Sequence, residues 1–246
     1  GASTEGRRFQ TALSLERWTE PRDATQFGAD CPQRPSGDVP VFRSWVNDLP
    51  QSEDCLFVNV WTRGLSDGKK RPVMVWLHGG GYVTGSGSSR GYDGTRLAER
   101  GDVVVVTLNH RLNGFGYLYL AGVTDDPRYA DAGNLGSLDT VKALEWVRDN
   151  AAAFGGDPDN VTIFGESGGA AKVSTLLGME QADGLFDKAI AQSGSMSLSG
   201  FTPRLATGLT RDIFKTAGLE QGDVAGLAAL PTEQYVKVLM QSKTHA

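Results

Sequence analysis

The stretch VTIFGESGGAAKVSTLL, Val161–Leu177, runs from apolar, β-branched residues through Gly165-Glu166-Ser167-Gly168-Gly169 into small residues at helical spacing. This change of character predicts a strand, a sharp turn and a helix, with a serine at the apex. Glycines at 165 and 169 let the backbone turn tightly and let strand and helix approach each other. The helix N-terminus then lies under the serine, where its dipole favours developing negative charge. The Gly168 amide is thereby a candidate oxyanion donor. Taken alone, the stretch also fits an ordinary glycine-rich turn carrying a solvated serine.

With 32 glycines in 246 residues, a bare G-x-S-x-G pattern is weak, and a second match, Gly87-Ser88-Ser89-Arg90-Gly91, makes Ser89 a rival. Context separates the two. Ser89 sits in VTGSGSSRGYDG, with no strand before it and no helix directly after, and reads as part of a flexible surface loop. The reading of Ser167 is strengthened by His78-Gly79-Gly80-Gly81, which directly follows the apolar run PVMVWL. Glycines there let backbone amides of Gly80 and Gly81 approach a substrate carbonyl oxygen, as side chains would not. Together the two elements point to acyl transfer: serine attack on an ester carbonyl, with the oxyanion held by backbone amides.

Outward from these motifs, strands are expected at Leu56–Thr62, Pro72–Leu77, Asp102–Leu108, Val161–Phe164 and Lys188–Gln192. Helices are expected at Thr95–Arg100, Leu138–Phe154, Gly169–Leu177, Arg204–Ala217 and Thr232–Met240, the second burying Leu138, Val141, Leu144, Val147 and Ala151 as one stripe. Alternating strands and helices with near-continuous apolar strands mean an α/β sheet, mostly parallel and covered on both faces. The first 50 residues, rich in Pro, Arg and Asp, read as surface loop. Trp61, Trp76 and Trp146 read as core.

The composition narrows the function classes. A length of 246 residues suits one sizeable domain, and 39% hydrophobic with 22% charged residues suits a globular protein. The net charge of −5 argues against a nucleic-acid partner. No apolar run approaches the length of a membrane span. No Cys/His cluster suggests a metal, and no motif calls for a cofactor. Cys31 and Cys55, the only cysteines, are either a disulfide or two free thiols. A bridge places the protein outside the cell or in the periplasm, and free thiols place it in the cytoplasm.

The chain resembles the type-B carboxylesterases, a family of α/β-hydrolases that includes the cholinesterases and para-nitrobenzyl esterases. SEDCLFVNVW (52–61) and FGESGGA (164–170) resemble two family signatures. HGGGYVTGSGS, YDG (92–94), NHRLNGFGYL, FGGDPDNVTIFG and GLFDKAIAQSGS stand between and around them in family order. The resemblance runs from residue 7 to about Gly194. It implies Ser167 as nucleophile, Gly80, Gly81 and Gly168 as oxyanion donors, and a Cys31–Cys55 disulfide. The residue after the serine is usually alanine in the family; Gly168 keeps the amide and is expected to loosen the turn. Tyr82, just after the glycines, is expected to line the acyl pocket. Glu166, beside the nucleophile, either tunes local charge or serves as a structural hydrogen-bonding carboxylate. Asn160-Val161-Thr162 is a glycosylation sequon that coincides with a family motif.

A catalytic serine needs a base, and the triad order of the fold is serine, acid, histidine. His78 and His110 precede the serine. His245 follows it, but in the family acid and histidine lie much farther along. The resemblance therefore implies an incomplete N-terminal and middle portion of an α/β-hydrolase domain over 1–246. The family's first strands are missing, and the catalytic acid and histidine come from the remaining part of the same hydrolase. The function expected is a serine carboxylic-ester hydrolase acting on a small-molecule ester. The alternatives are a non-catalytic cholinesterase-like binding or adhesion protein, or an inactive truncated form.

Overall fold

The computed structural model describes residues 6–14, 18–34, 49–194 and 200–242. Five strands, β1 (Val58–Trp61), β2 (Arg71–Leu77), β3 (Val104–Leu108), β4 (Gly156–Glu166) and β5 (Lys188–Gln192), lie in the order β1-β3-β2-β4-β5. Only β1 is antiparallel to its neighbour; the other three pairings are parallel. The main helices are α1 (Thr95–Gly101), α2 (Asn113–Tyr117), α3 (Leu135–Asn150), α4 (Gly168–Leu176), α5 (Pro203–Ala217), α6 (Val224–Ala229) and α7 (Thr232–Gln241).

Side chains alternate across each strand, so β2 and β3 serve two faces at once. Val73, Val75, Leu77, Val104, Val106 and Leu108 pack with Val141, Leu144 and Val147 of α3 and Val173 and Leu176 of α4. On the other face Met74 and Val105 meet Ala98 of α1. A second core joins α2, α5, α6 and α7 through Phe115, Ile213, Phe214, Leu227 and Tyr235. Strand β5 is the edge of the sheet and is exposed along its whole length.

The topology places the site. From β2 the chain moves to β3 on one flank, then crosses to β4 on the other and continues outward to β5. Such a reversal opens a crevice at the carboxyl ends of the strands on either side of it. Here those are the ends of β2 and β4, where His78-Gly79-Gly80-Gly81 and Ser167 follow.

Several expectations shift. Helix α3 starts a turn earlier than its apolar stripe suggested, burying Leu135 while Leu138 is only partly buried. Within that helix Asp139 pairs with Arg111, a tertiary contact that no local pattern reveals. Helix α2 (NGFGY) is too rich in glycine to show a helical period. The leading residues are irregular where described but not merely surface loop. Phe9 is fully buried edge-on against Tyr235 at 5.6 Å, and Arg8 donates to Glu53 and to the Leu227 and Leu230 carbonyls. An isolated buried aromatic in an irregular segment carries no periodic signal.

Cys31 and Cys55 are bridged, with Cα atoms 4.9 Å apart, and pack on Leu112. Closing this loop of 24 residues restricts the unfolded chain. Reducing the bond, or replacing both cysteines by alanine, is expected to lower stability by about 3 kcal/mol. A urea titration of the full-length protein checks this, and an unchanged midpoint contradicts it.

Candidate active site

Strand β4 ends at Glu166, and Ser167 turns the chain directly into α4. Ser167 has φ 54° and ψ −120°, a conformation that costs a non-glycine residue about 1–3 kcal/mol and persists only where its surroundings enforce it. The enforcement is visible. The Ser167 N–H donates to the Gln192 carbonyl of β5 at 2.8 Å, and its carbonyl accepts from Ala171 N–H in α4 at 3.1 Å. A Cβ on Gly169 would stand 2.0 Å from the Leu77 carbonyl oxygen, and one on Gly165 would stand 2.6 Å from the Gly169 carbonyl carbon. Only glycines allow β2, β4 and α4 to meet this closely. The serine side chain is left exposed at the apex. Gly168, as the first residue of α4, carries an amide with no partner inside the helix.

The glycine turn after β2 lies directly against this elbow. A Cβ on Gly168 would come within 2.4–2.6 Å of the Gly81 backbone. The expected loosening at Gly168 is therefore not what the structure has: the space an alanine methyl would take is filled by the facing turn. Gly80 (φ +87°) and Gly81 (φ +64°) are both left-handed. Among the described residues their amides donate to no carbonyl. Their carbonyl-side partners are fixed, since the Gly79 oxygen accepts from His78 Nδ1 at 2.8 Å and the Gly80 oxygen from Thr84 N–H at 3.2 Å. In a trans peptide the C=O and N–H point in opposite directions. Holding those two carbonyls leaves the amides of Gly80 and Gly81 directed away from them, and both residues are exposed.

His78 is thus a structural donor. A carbonyl only accepts, so Nδ1 carries the proton. Burial holds the ring neutral, with a pKa lowered to about 3, and the ring stacks on His110 at 4.8 Å. His110 is likewise buried and pushed well below the ordinary histidine value by desolvation. Neither histidine hydrogen-bonds Ser167. His245 lies outside the described residues.

The loop that follows is braced from behind. Gln33 bonds both backbone groups of Gly85, through Nε2 to the carbonyl at 3.0 Å and Oε1 from the N–H at 2.8 Å. Asp30 accepts from the Ser86 hydroxyl, and Asn109 accepts from Gly87 N–H at 2.8 Å. Ser86, Gly87 and Ser88 are buried, Ser89 is partly so, and a 3₁₀ turn (Arg90–Tyr92) follows directly. The segment around Ser89 is therefore a packed strut, not a flexible surface loop. Polar partners distant in sequence hold it, so composition alone misleads. Asp30 and Gln33 flank Cys31, which ties the disulfide loop to the same strut.

The Tyr82 ring packs edge-on against Tyr117 at 5.0 Å with Lys172 Nζ 5.3 Å from its centre. Glu166 is exposed, and its carboxylate is 3.2 Å from where a Cβ on Gly79 would sit. Trp76 packs between Tyr92 and Phe164, while Trp61 and Trp146 join the two core faces. Asn160, in β4, accepts from Lys188 Nζ. Lys172, buried on α4, escaped the sequence reading. Its one signal is a charge inside an otherwise uncharged helix, AAKVSTLL. Among the described residues no group of His, Cys, Asp and Glu is arranged to hold a metal, and no helix is long and apolar enough to cross a membrane.

Residues 2–245 match the model of the Carboxylesterase family. The para-nitrobenzyl esterase of Bacillus subtilis is 43% identical over 235 residues, 95% of this chain and 46% of that protein. The acetylcholinesterase of Gallus gallus is 45% identical over 192 residues, 76% of this chain and 24% of that protein. A crystal structure of a Geobacillus stearothermophilus carboxylesterase superposes with a TM-score of 0.87 at 46% identity, covering 98% of this chain and 47% of that one. The chain thus spans less than half the length of these relatives.

Proposed function

The chain belongs to the carboxylesterase family and has its α/β-hydrolase architecture, and on that premise we propose that it is the nucleophile-bearing part of a serine carboxylic-ester hydrolase. The observation that carries this reading is a strained, exposed Ser167 at the strand-to-helix elbow, with Gly168 seated against a glycine turn whose Gly80 and Gly81 amides donate to no carbonyl among the described residues. In the proposed reaction Ser167 Oγ attacks the ester carbonyl carbon, and its proton passes to a histidine supplied by the remaining part of the protein. The carbonyl oxygen, now negative, accepts from the three amides at the N-terminus of α4 and in the glycine turn. Collapse expels the alcohol and leaves an acyl-serine, which water hydrolyses with the same histidine as base. The exposed edge strand β5, beside the elbow, is where further strands from that remaining part extend the sheet. The substrate is a small-molecule ester, and the disulfide fits an oxidising compartment.

The test is a pre-steady-state measurement on the full-length protein with a para-nitrophenyl ester. An initial burst of one nitrophenolate per active site supports the acyl-enzyme. Absence of both burst and turnover removes the esterase reading in favour of a binding protein. The oxyanion turn has its own test in Gly80→Ala. Its Cβ would meet the Thr84 carbonyl oxygen at 2.4 Å in a left-handed conformation. The turn must then open, and kcat is expected to fall by about 10²–10³-fold, as for loss of an oxyanion donor. Retention of wild-type kcat would mean that the Gly80 amide does not serve the oxyanion.

A further inference from the structure

We propose that Lys172 is a positioning residue for the oxyanion hole, fixing the glycine turn by donating to the carbonyl oxygens of His78 and Gly81. Its Nζ is 2.9 Å from the first and 3.1 Å from the second. The residue is almost wholly buried, and among the described residues no carboxylate pairs with it. A buried ammonium without a counter-ion is destabilising unless its donors are all used. Here two N–H groups meet carbonyls, and the ammonium lies over the Tyr82 ring face at 5.3 Å. Burial alone lowers its pKa to about 7, which marks how much solvation the site has given up to keep an amine there.

The four consecutive carbonyls from His78 to Gly81 are all held, and Lys172 holds the first and the last. The middle two are taken by His78 Nδ1 and by Thr84 N–H, as described. Lys172 therefore clamps the peptides on either side of the two whose amides donate to no carbonyl among the described residues. The clamp stands five residues beyond Ser167 on α4. The elbow and the helix it opens thus carry, within six residues, the nucleophile, the Gly168 amide and the group that sets the height of the opposing turn. The direct backbone contact of Gly168 with Gly81 is the approach this clamp maintains.

The inference rests on the serine-esterase reading, and two measurements on the full-length protein keep the two apart. Lys172→Met preserves length and volume but removes every donor. In a crystal structure of this variant the segment 78–81 is expected to move away from Ser167 by roughly 1 Å, a misplacement that costs about 10²-fold in rate. In kinetics kcat is expected to fall ten- to hundred-fold, with KM within about two-fold, since the loss falls on the transition state. If Lys172→Met does not fold, Lys172→Gln, which retains one amide donor, takes its place with a smaller change of the same sign. A turn that stays in place, or a kcat that stays at the wild-type value in the folded variant, overturns the proposal. If the wild-type protein shows no serine-dependent turnover, the esterase reading fails, and the crystallographic arm alone still decides whether Lys172 positions the turn.

Discussion

Ser167→Ala in the full-length protein is expected to abolish covalent labelling by a fluorophosphonate probe and to lower ester turnover by about 10⁴–10⁶-fold. The size follows from the division of labour at the elbow. Every backbone feature that shapes the turn lies outside the serine side chain: the bond from Ser167 N–H to Gln192, the close approach of Gly165 and Gly169, and the N-terminus of α4. Removing Oγ therefore takes away the nucleophile and leaves the oxyanion amides in place. What survives is the residual catalysis that such amides and substrate binding supply. Ser89→Ala is the matched control, because Ser89 precedes a 3₁₀ turn in a packed strut and does not sit at a strand-to-helix elbow. Labelling that persists in Ser167→Ala and disappears in Ser89→Ala would reverse the assignment of the nucleophile.

A comparably large effect on stability is expected at Asp139. Its carboxylate receives Arg111 Nη2 at 2.6 Å, Arg111 Nε at 2.8 Å and the Arg111 N–H at 3.0 Å, while Arg111 Nη1 donates to the Gln10 carbonyl at 2.7 Å. Both side chains are almost completely excluded from water. Asp139→Ala strands the guanidinium in the interior without its counter-charge, and loss of about 3–5 kcal/mol is expected. A double variant, Arg111→Met with Asp139→Leu, removes both charges and is expected to recover much of that loss. Denaturant midpoints of the three proteins decide. A single variant within about 1 kcal/mol of wild type would show that the pair is far more weakly coupled than its burial implies. The pair also ties the second turn of α3 to the segment leaving β3.

Much of the frame is legible in the residues. The apolar runs of β2 and β3, the switch to helical spacing after Ser167 and the strand Lys188–Gln192 all follow local patterns that the fold obeys. For β3 and the helices this is because a strand buried on both faces, or a helix with a buried face, writes its environment into consecutive residues; the exposed strand β5 shows instead in its short apolar run Ala189-Ile190-Ala191. The glycines of GESGG and HGGG are legible as well, since Gly80, Gly165, Gly168 and Gly169 each stand where a Cβ would strike backbone atoms.

What local pattern could not express is the support behind the site. Gln33 and Asp30 brace Gly85 and Ser86 across more than fifty positions of chain. Phe9 closes a helical core more than two hundred residues downstream. The packed state of the Ser89 segment and the seating of Gly81 on Gly168 belong to the same class. So does Lys172, a charge that sequence statistics place at the surface and that tertiary packing buries under the glycine turn. By itself the amino-acid sequence determined that this chain builds a mostly parallel sheet with a serine at a strand-to-helix elbow, because periodicity and glycine placement are local. Only the tertiary structure decided how close the two loops stand and which distant side chains hold them there. Those depend on hydrogen bonds between residues whose separation along the chain leaves no periodic trace.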